Sequence, residues 1–161
     1  MNTVAQPCAI CNTKTQFRFK LLEKEGLHID TSVVKIKGVY LLESYNENIN
    51  MGKKTYNFCR FFSNGRVYIS CSYCSFPTNS ELNDLNFGRY GYYIVNGSNI
   101  KIETFEPYPR YYFVYCVMEG NILVSNGTSK RKWKKNVKKD PYAITVKYEY
   151  FKCNLTSSSF W

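Results

Sequence analysis

The stretch "CRFFSNGRVYISCSYC", Cys59 to Cys74, decides how the chain folds. Asn64-Gly65 lies between two runs rich in aromatic and β-branched residues. Both residues tolerate positive φ, so the dipeptide is a strong hairpin signal. Loop length then sets the register. A two-residue loop places Arg60 beside Val67 and Ile69. A three-residue loop, with Gly65 left-handed in a bulge, joins Cys59 and Phe61 to Val67, Ile69 and Cys71. The second is expected, because it turns Arg60 outward from the apolar face.

The signal recurs along the chain. Asn96-Gly97 sits between "GYYIV" and "NIKIETF". Asn126-Gly127 follows "YYFVYCVMEGNILVS", which holds a further turn at Glu119-Gly120-Asn121. At Asn96-Gly97 a two- or four-residue loop pairs Tyr93 with Ile100 or Ile102. Tyr93, Val95, Ile100 and Ile102 then share one face, and Lys101 and Glu103 fall on the other with Tyr92 and Ile94. Charged residues are seldom buried, so the first face is expected to point inward. "VVKIKGVYLLES" (33–44) and "AITVKYEYF" (143–151) supply an early and a late strand. Seven or eight strands at 8–12-residue spacing indicate a sandwich or barrel. Helical signal is confined to "TNSELNDLN" (78–86) and to "TKTQFRFKLLEKEG" (13–26), which Gly26 would stop.

Composition agrees. The chain has 161 residues, enough for one domain with a core. Apolar residues make up 44%, and the 15 tyrosines and 11 phenylalanines favour strands. No apolar run is long enough for a transmembrane helix. No basic-then-apolar leader opens the sequence, which fits a cytoplasmic protein, or an envelope or secreted one whose signal has been removed. Formal net charge is +10, but seven basic residues fall within "KRKWKKNVKK" (130–139). Without them, 15 basic residues face 12 acidic ones.

Little points to catalysis. His28, the one histidine, lies in a linker-like stretch, and acidic residues are scattered. No paired carboxylates and no glycine-rich phosphate loop stand out. The seven cysteines include two C-x-x-C pairs, Cys8/Cys11 and Cys71/Cys74. A structural zinc site wants four such ligands. However, 59 residues lie between the pairs, far from the usual spacing. Strand periodicity also sends Cys71 and Cys74 to opposite faces, with Cα atoms ~10 Å apart. Separate structural cysteines are therefore expected, with no metal and no cofactor. Asn96, Asn126 and Asn154 each open a glycosylation sequon, but the first two are accounted for as turns.

The two best hairpins carry a resemblance. "CRFFSNGRVYIS" resembles the R-F-Y-x-D-G-x-V hairpin of bacterial lipocalin-like domains. "GYYIVNGSNIKI" is similar to their G-x-Y-x-I-x-G-x-x-I-x-I hairpin. "IKGVYLLES" sits where the calycin superfamily has its first strand, with Gly38-Val39-Tyr40 in place of Gly-x-Trp. The resemblance spans residues 33–153. It implies a single all-β domain over 31–161, an eight-stranded antiparallel up-and-down barrel with one or two short helices, behind an N-terminal extension over 1–30. It also implies binding rather than catalysis. Tyr40 would pack at the closed end. The inward set Tyr40, Phe61, Ile69, Cys71, Tyr93 and Ile102 would line the interior, where a small apolar or aromatic ligand binds. The alternative is an interaction module. There Lys130, Arg131, Lys132, Trp133, Lys134 and Lys135 of the basic loop meet an acidic partner, whether nucleic acid, anionic membrane or protein.

Overall fold

The Asn64-Gly65 hairpin takes the three-residue form in the structure, a computed structural model that describes residues 30, 32–45, 54–73, 75–106, 110–125 and 146–158. Gly65 has φ +80°, and the Phe62 N–H donates to the Arg66 carbonyl across the turn. Cys59 faces Ile69 and Phe61 faces Val67, as the pattern predicts. The Asn96-Gly97 hairpin has a two-residue loop that pairs Tyr93 with Ile102 and Val95 with Ile100. The Glu119-Gly120-Asn121 turn is also present, with Gly120 at φ +62°.

Eight strands follow one another in an antiparallel ring: β1 (Gly38–Tyr45), β2 (Lys54–Phe61), β3 (Arg66–Tyr73), β4 (Arg89–Asn96), β5 (Asn99–Glu106), β6 (Arg110–Glu119), β7 (Ile122–Ser125) and β8 (Val146–Lys152). Each pairs with its neighbour in sequence, and β8 returns to β1 with Tyr150 opposite Tyr40. The chain is thus an all-β, up-and-down closed barrel, an arrangement that leaves no open sheet edge. Among the described residues one helix interrupts the ring, α1 (Asn79–Asn83), within the stretch expected to be helical. Thr78 caps it and Glu81 reaches back to the Thr78 N–H at 2.7 Å, completing a capping box. The other expected helix, over 13–26, lies outside the described residues.

Strand β1 is shorter than its sequence pattern suggests. Val33, Val34 and Ile36 precede the strand and pack into the inner core, with Val34 fully buried. The Lys35 N–H donates to the Tyr40 hydroxyl at 2.9 Å, and Lys35 Nζ reaches Asn121 Oδ1 in the β6–β7 turn. These residues close one end of the barrel. Ahead of this segment Asp30 accepts from the Ser32 N–H at 2.9 Å.

The outer face carries a second core. Val39, Phe58 and Tyr68 point away from the lumen and are covered by Leu82 and Leu85, with Cys153 and Leu155 of the C-terminal tail packed beside them. Arg60 does turn outward, but it is not solvated: only 4% of it is exposed. Its Nη1 donates to the Leu82 carbonyl and the Ser157 hydroxyl, its Nη2 donates to the Ser157 carbonyl, and its Nε has no partner. The ring of Phe62 lies 4.7 Å from the guanidinium carbon. Glu103 likewise takes the outward position expected of it, yet it is fully buried, beside the buried Tyr92. The registers agree with expectation, but their rationale, that outward means solvated, fails at both residues. In a barrel wrapped by other parts of the chain, the outward face is itself partly interior.

Asn83 fastens the tail. Its Oδ1 accepts from the Thr156 and Ser157 N–H groups at 2.7 and 3.1 Å, and its Nδ2 donates to the Asn79 and Asn154 carbonyls at 2.8 and 2.9 Å. Replacing Asn83 by Ala leaves these backbone groups without their partner. The variant should lose ~1–3 kcal/mol in urea denaturation. Carboxypeptidase should also trim its tail faster than that of the wild type.

Candidate functional site

Inward positions follow from the register, because cross-strand partners share a face. Their burial changes along the barrel. At the closed end the inward residues are tightly covered: Tyr40, Phe61, Val67, Tyr93, Ile100, Ile102, Cys116 and Leu123 are each exposed by 2% or less. Phe61 stands edge-on to both Tyr40 (5.5 Å, 86°) and Tyr93 (4.8 Å, 80°). Tyr93 donates from its hydroxyl to the Phe62 carbonyl at 2.8 Å, which ties this cluster to the β2–β3 turn.

Towards the other end several inward residues are partly exposed, as Val95 and Tyr150 also are near the closed end. On β1 Tyr40 gives way to Leu42 and Ser44, on β2 Cys59 to Asn57, and on β3 Val67 to Ile69 and Cys71. On β4 Tyr93 gives way, past Gly91, to Arg89, on β6 Cys116 to Val114, and on β7 Leu123 to Ser125. Thr55 and Thr104 stay buried within the wall. The inner wall thus carries an aromatic floor and, above it, a mixed apolar and polar set of side chains that we call the cup. Asn57 Nδ2 donates to the Ser44 hydroxyl at 3.3 Å, which itself donates to the Thr55 carbonyl.

The six residues expected to line a pocket divide between these two layers. Tyr40, Phe61, Tyr93 and Ile102 belong to the packed floor, and Tyr40 does lie at the closed end. Ile69 and Cys71 stand on the cup wall. Leu42, Asn57, Arg89 and Tyr148 complete the wall but do not figure in the sequence expectation. Parity places Leu42 and Tyr148 inward once β1 and β8 are recognised. Arg89 is obscured because it precedes the obvious "GYYIV" run.

Burial dominates the electrostatics. It raises the Tyr40 and Tyr93 hydroxyls above their ordinary values. Burial also pushes the Cys116 thiol up from 9.0 to about 12, against a lowering hydrogen bond from Ser125. Tyr148 rises from 10.0 to about 12, chiefly by burial, with Cys59 and Cys116 adding to the rise and Arg89 opposing it.

Cys59, Cys116 and Cys153 are thiols outside any disulfide. Among the described residues no group of three or more His, Cys, Asp or Glu is placed to hold a metal ion. Cys8, Cys11, Cys74 and His28 lie outside the described residues, as do Lys130, Arg131, Lys132, Trp133, Lys134 and Lys135. Ser125 and Val146, the described residues that flank the sequence carrying that basic run, pair with one another on β7 and β8. No described helix is long and apolar enough to cross a membrane. Comparison with known proteins yields no match, whether to a family model, a curated protein or a solved structure.

These shifts set a pH dependence. Between about pH 9 and about pH 12 the unfolded chain has lost the Cys116 proton while the folded chain retains it. Tyr148 behaves alike above pH 10. The folded state then binds more protons, so stability falls as pH rises through this window. Urea midpoints measured across it should decline, and less steeply in Cys116→Ala. Near pH 8, Cys59 and Cys116 should resist a thiol reagent until the protein is unfolded.

Proposed function

We propose that this is a lipocalin-like binding protein that holds a small apolar or aromatic ligand in the cup, without catalysis. The supporting observation is the change from covered to partly exposed inward side chains along one lumen. A barrel of eight strands has room for either packed side chains or one small ligand. On this reading the floor takes the first option and the partly exposed upper half takes the second. The wall suits such a ligand: Leu42, Ile69 and Val114 offer apolar surface, while Ser44, Asn57 and Ser125 offer a few polar contacts, the usual balance of a small-molecule site. The Tyr40–Phe61–Tyr93 cluster presents aromatic groups beneath it. The bacterial lipocalin-like resemblance of the two hairpins points the same way.

The test is a fluorescence titration with N-phenyl-1-naphthylamine, a neutral aromatic probe that brightens in apolar surroundings. Saturable binding is expected. Ile69→Trp, which fills the cup from its wall, should weaken binding by at least about tenfold, ~1.4 kcal/mol. Phe87→Ala, at an exposed outer position, should leave binding unchanged. A probe that does not saturate, or that binds Ile69→Trp as well as wild type, would reject the cup as the site.

A further inference from the structure

We infer that Ser157 is a phosphorylation site, and that its phosphate docks on the buried Arg60 and locks the C-terminal tail onto the barrel.

The site grows from β2. Arg60 sits on the outward phase of that strand, opposite Tyr68, and lies beneath α1 and the tail with 4% of its surface exposed. Its described partners are all uncharged. Nη1 donates to the Leu82 carbonyl at 3.3 Å and to the Ser157 hydroxyl at 2.6 Å. Nη2 donates to the Ser157 carbonyl, and the Phe62 ring lies beside the guanidinium. Nε is buried with no partner at all. A buried cation ordinarily has an anion beside it, because neutral hydrogen bonds only partly replace the water it loses. Among the described residues no carboxylate takes that place. The group that stands nearest to it is the Ser157 hydroxyl.

That hydroxyl is held on two sides. It accepts from Arg60 Nη1 and donates to Asn83 Oδ1 at 3.2 Å. A phosphate on Oγ gives up the bond to Asn83, which still accepts from the Thr156 and Ser157 N–H groups. In exchange it brings a charge of about −1.5 to −2 and three strong acceptor oxygens. Both Nη groups already turn towards Ser157, so the guanidinium fork that now meets a hydroxyl and a carbonyl is aimed where phosphate oxygens would lie. Charge-assisted bonds of this kind are roughly twice as strong as neutral ones.

The tail also suits a kinase. Ser157 is partly exposed, lies between exposed Thr156 and Ser158, and belongs to a segment without helix or strand. Leu155 packs into the outer core, and the ties beyond it come from Asn83 and Arg60. Such a segment opens at less cost than a strand of the ring. With the tail open, Ser157 Oγ attacks the γ-phosphorus of a nucleoside triphosphate. The bond to the β-phosphate oxygen breaks, the diphosphate leaves, and the hydroxyl proton passes to the kinase's base. The tail then closes with its phosphate on Arg60.

The test places phosphoserine at position 157 of the full chain through an expanded genetic code and reads tail closure by amide hydrogen exchange. Protection of the Thr156 and Ser157 amides should rise at least about tenfold over the unmodified chain. Arg60→Gln should remove the rise, and Arg60→Lys should keep part of it. Phosphoserine at the exposed position 158 should leave protection unchanged. Cooperative thermal melts establish that each variant is folded; where Arg60→Gln is not, the comparison of positions 157 and 158 decides. Mass spectrometry of the protein isolated from the cells that produce it, with phosphatases inhibited, should find phosphate on Ser157. Protection that falls or stays level on phosphorylation at 157, equal effects at 157 and 158, or native protein without phosphate on Ser157 would overturn the inference.

Discussion

Phe61 standing edge-on between Tyr40 and Tyr93 is the contact on which the rest of the barrel depends. These three rings come from β1, β2 and β4, and all three are almost wholly buried. Edge-to-face aromatic pairs contribute ~0.5–1.5 kcal/mol each beyond the area they bury. Each tyrosine also spends its hydroxyl on a structural hydrogen bond. Tyr40 accepts from the Lys35 N–H that closes the barrel, and Tyr93 donates to the carbonyl at the β2–β3 turn. One cluster thus fixes the closing segment, a hairpin and the floor together. With the floor filled, any space in the lumen must lie towards the other end.

Closure of the ring enforces this division. The strand β8 meets β1 with Tyr150 opposite Tyr40, and the Tyr150 ring tilts against Tyr40 at 5.4 Å. Gly38 makes the approach possible. A Cβ there would collide with the Phe151 carbonyl and crowd the Tyr150 ring, so β1 begins at the one residue type that lets β8 come alongside. The outer layer then tightens the same region from outside. Arg60 and Asn83 bind the C-terminal tail across β2 and α1. Burying Arg60 carries a cost, since burial lowers its pKa and no carboxylate among the described residues compensates its charge. Hydrogen bonds to the Leu82 and Ser157 carbonyls and the cation–π contact with Phe62 offset part of it.

Much of this architecture can be read in the sequence because it is local. Asn64-Gly65 and Asn96-Gly97 set their loops, the loops set the registers, and the registers choose which of two faces Phe61, Val67, Tyr93 and Ile102 occupy. A period of two and a turn type suffice for that. What escapes local reading is anything decided by distant parts of the chain. The burial of Arg60 depends on a tail 97 residues further on. The division between floor and cup depends on height along the barrel axis, which strand tilt and stagger determine once the ring has closed. Residues 69 and 67 look equivalent in the alternating pattern, yet Val67 is sealed and Ile69 is partly exposed. For the same reason the sequence groups Tyr40, Phe61, Ile69, Cys71, Tyr93 and Ile102 as a single lining.

The account turns on a lumen that is solid below and receptive above. A crystal structure with a brominated naphthalene ligand tests this most directly, since anomalous scattering locates the bromine without reference to surrounding density. The account predicts bromine in the cup among Leu42, Asn57, Ile69 and Arg89, with the Tyr40, Phe61 and Tyr93 rings unmoved. Bromine found only on the outer surface, or within the floor after those three rings have parted, would contradict it.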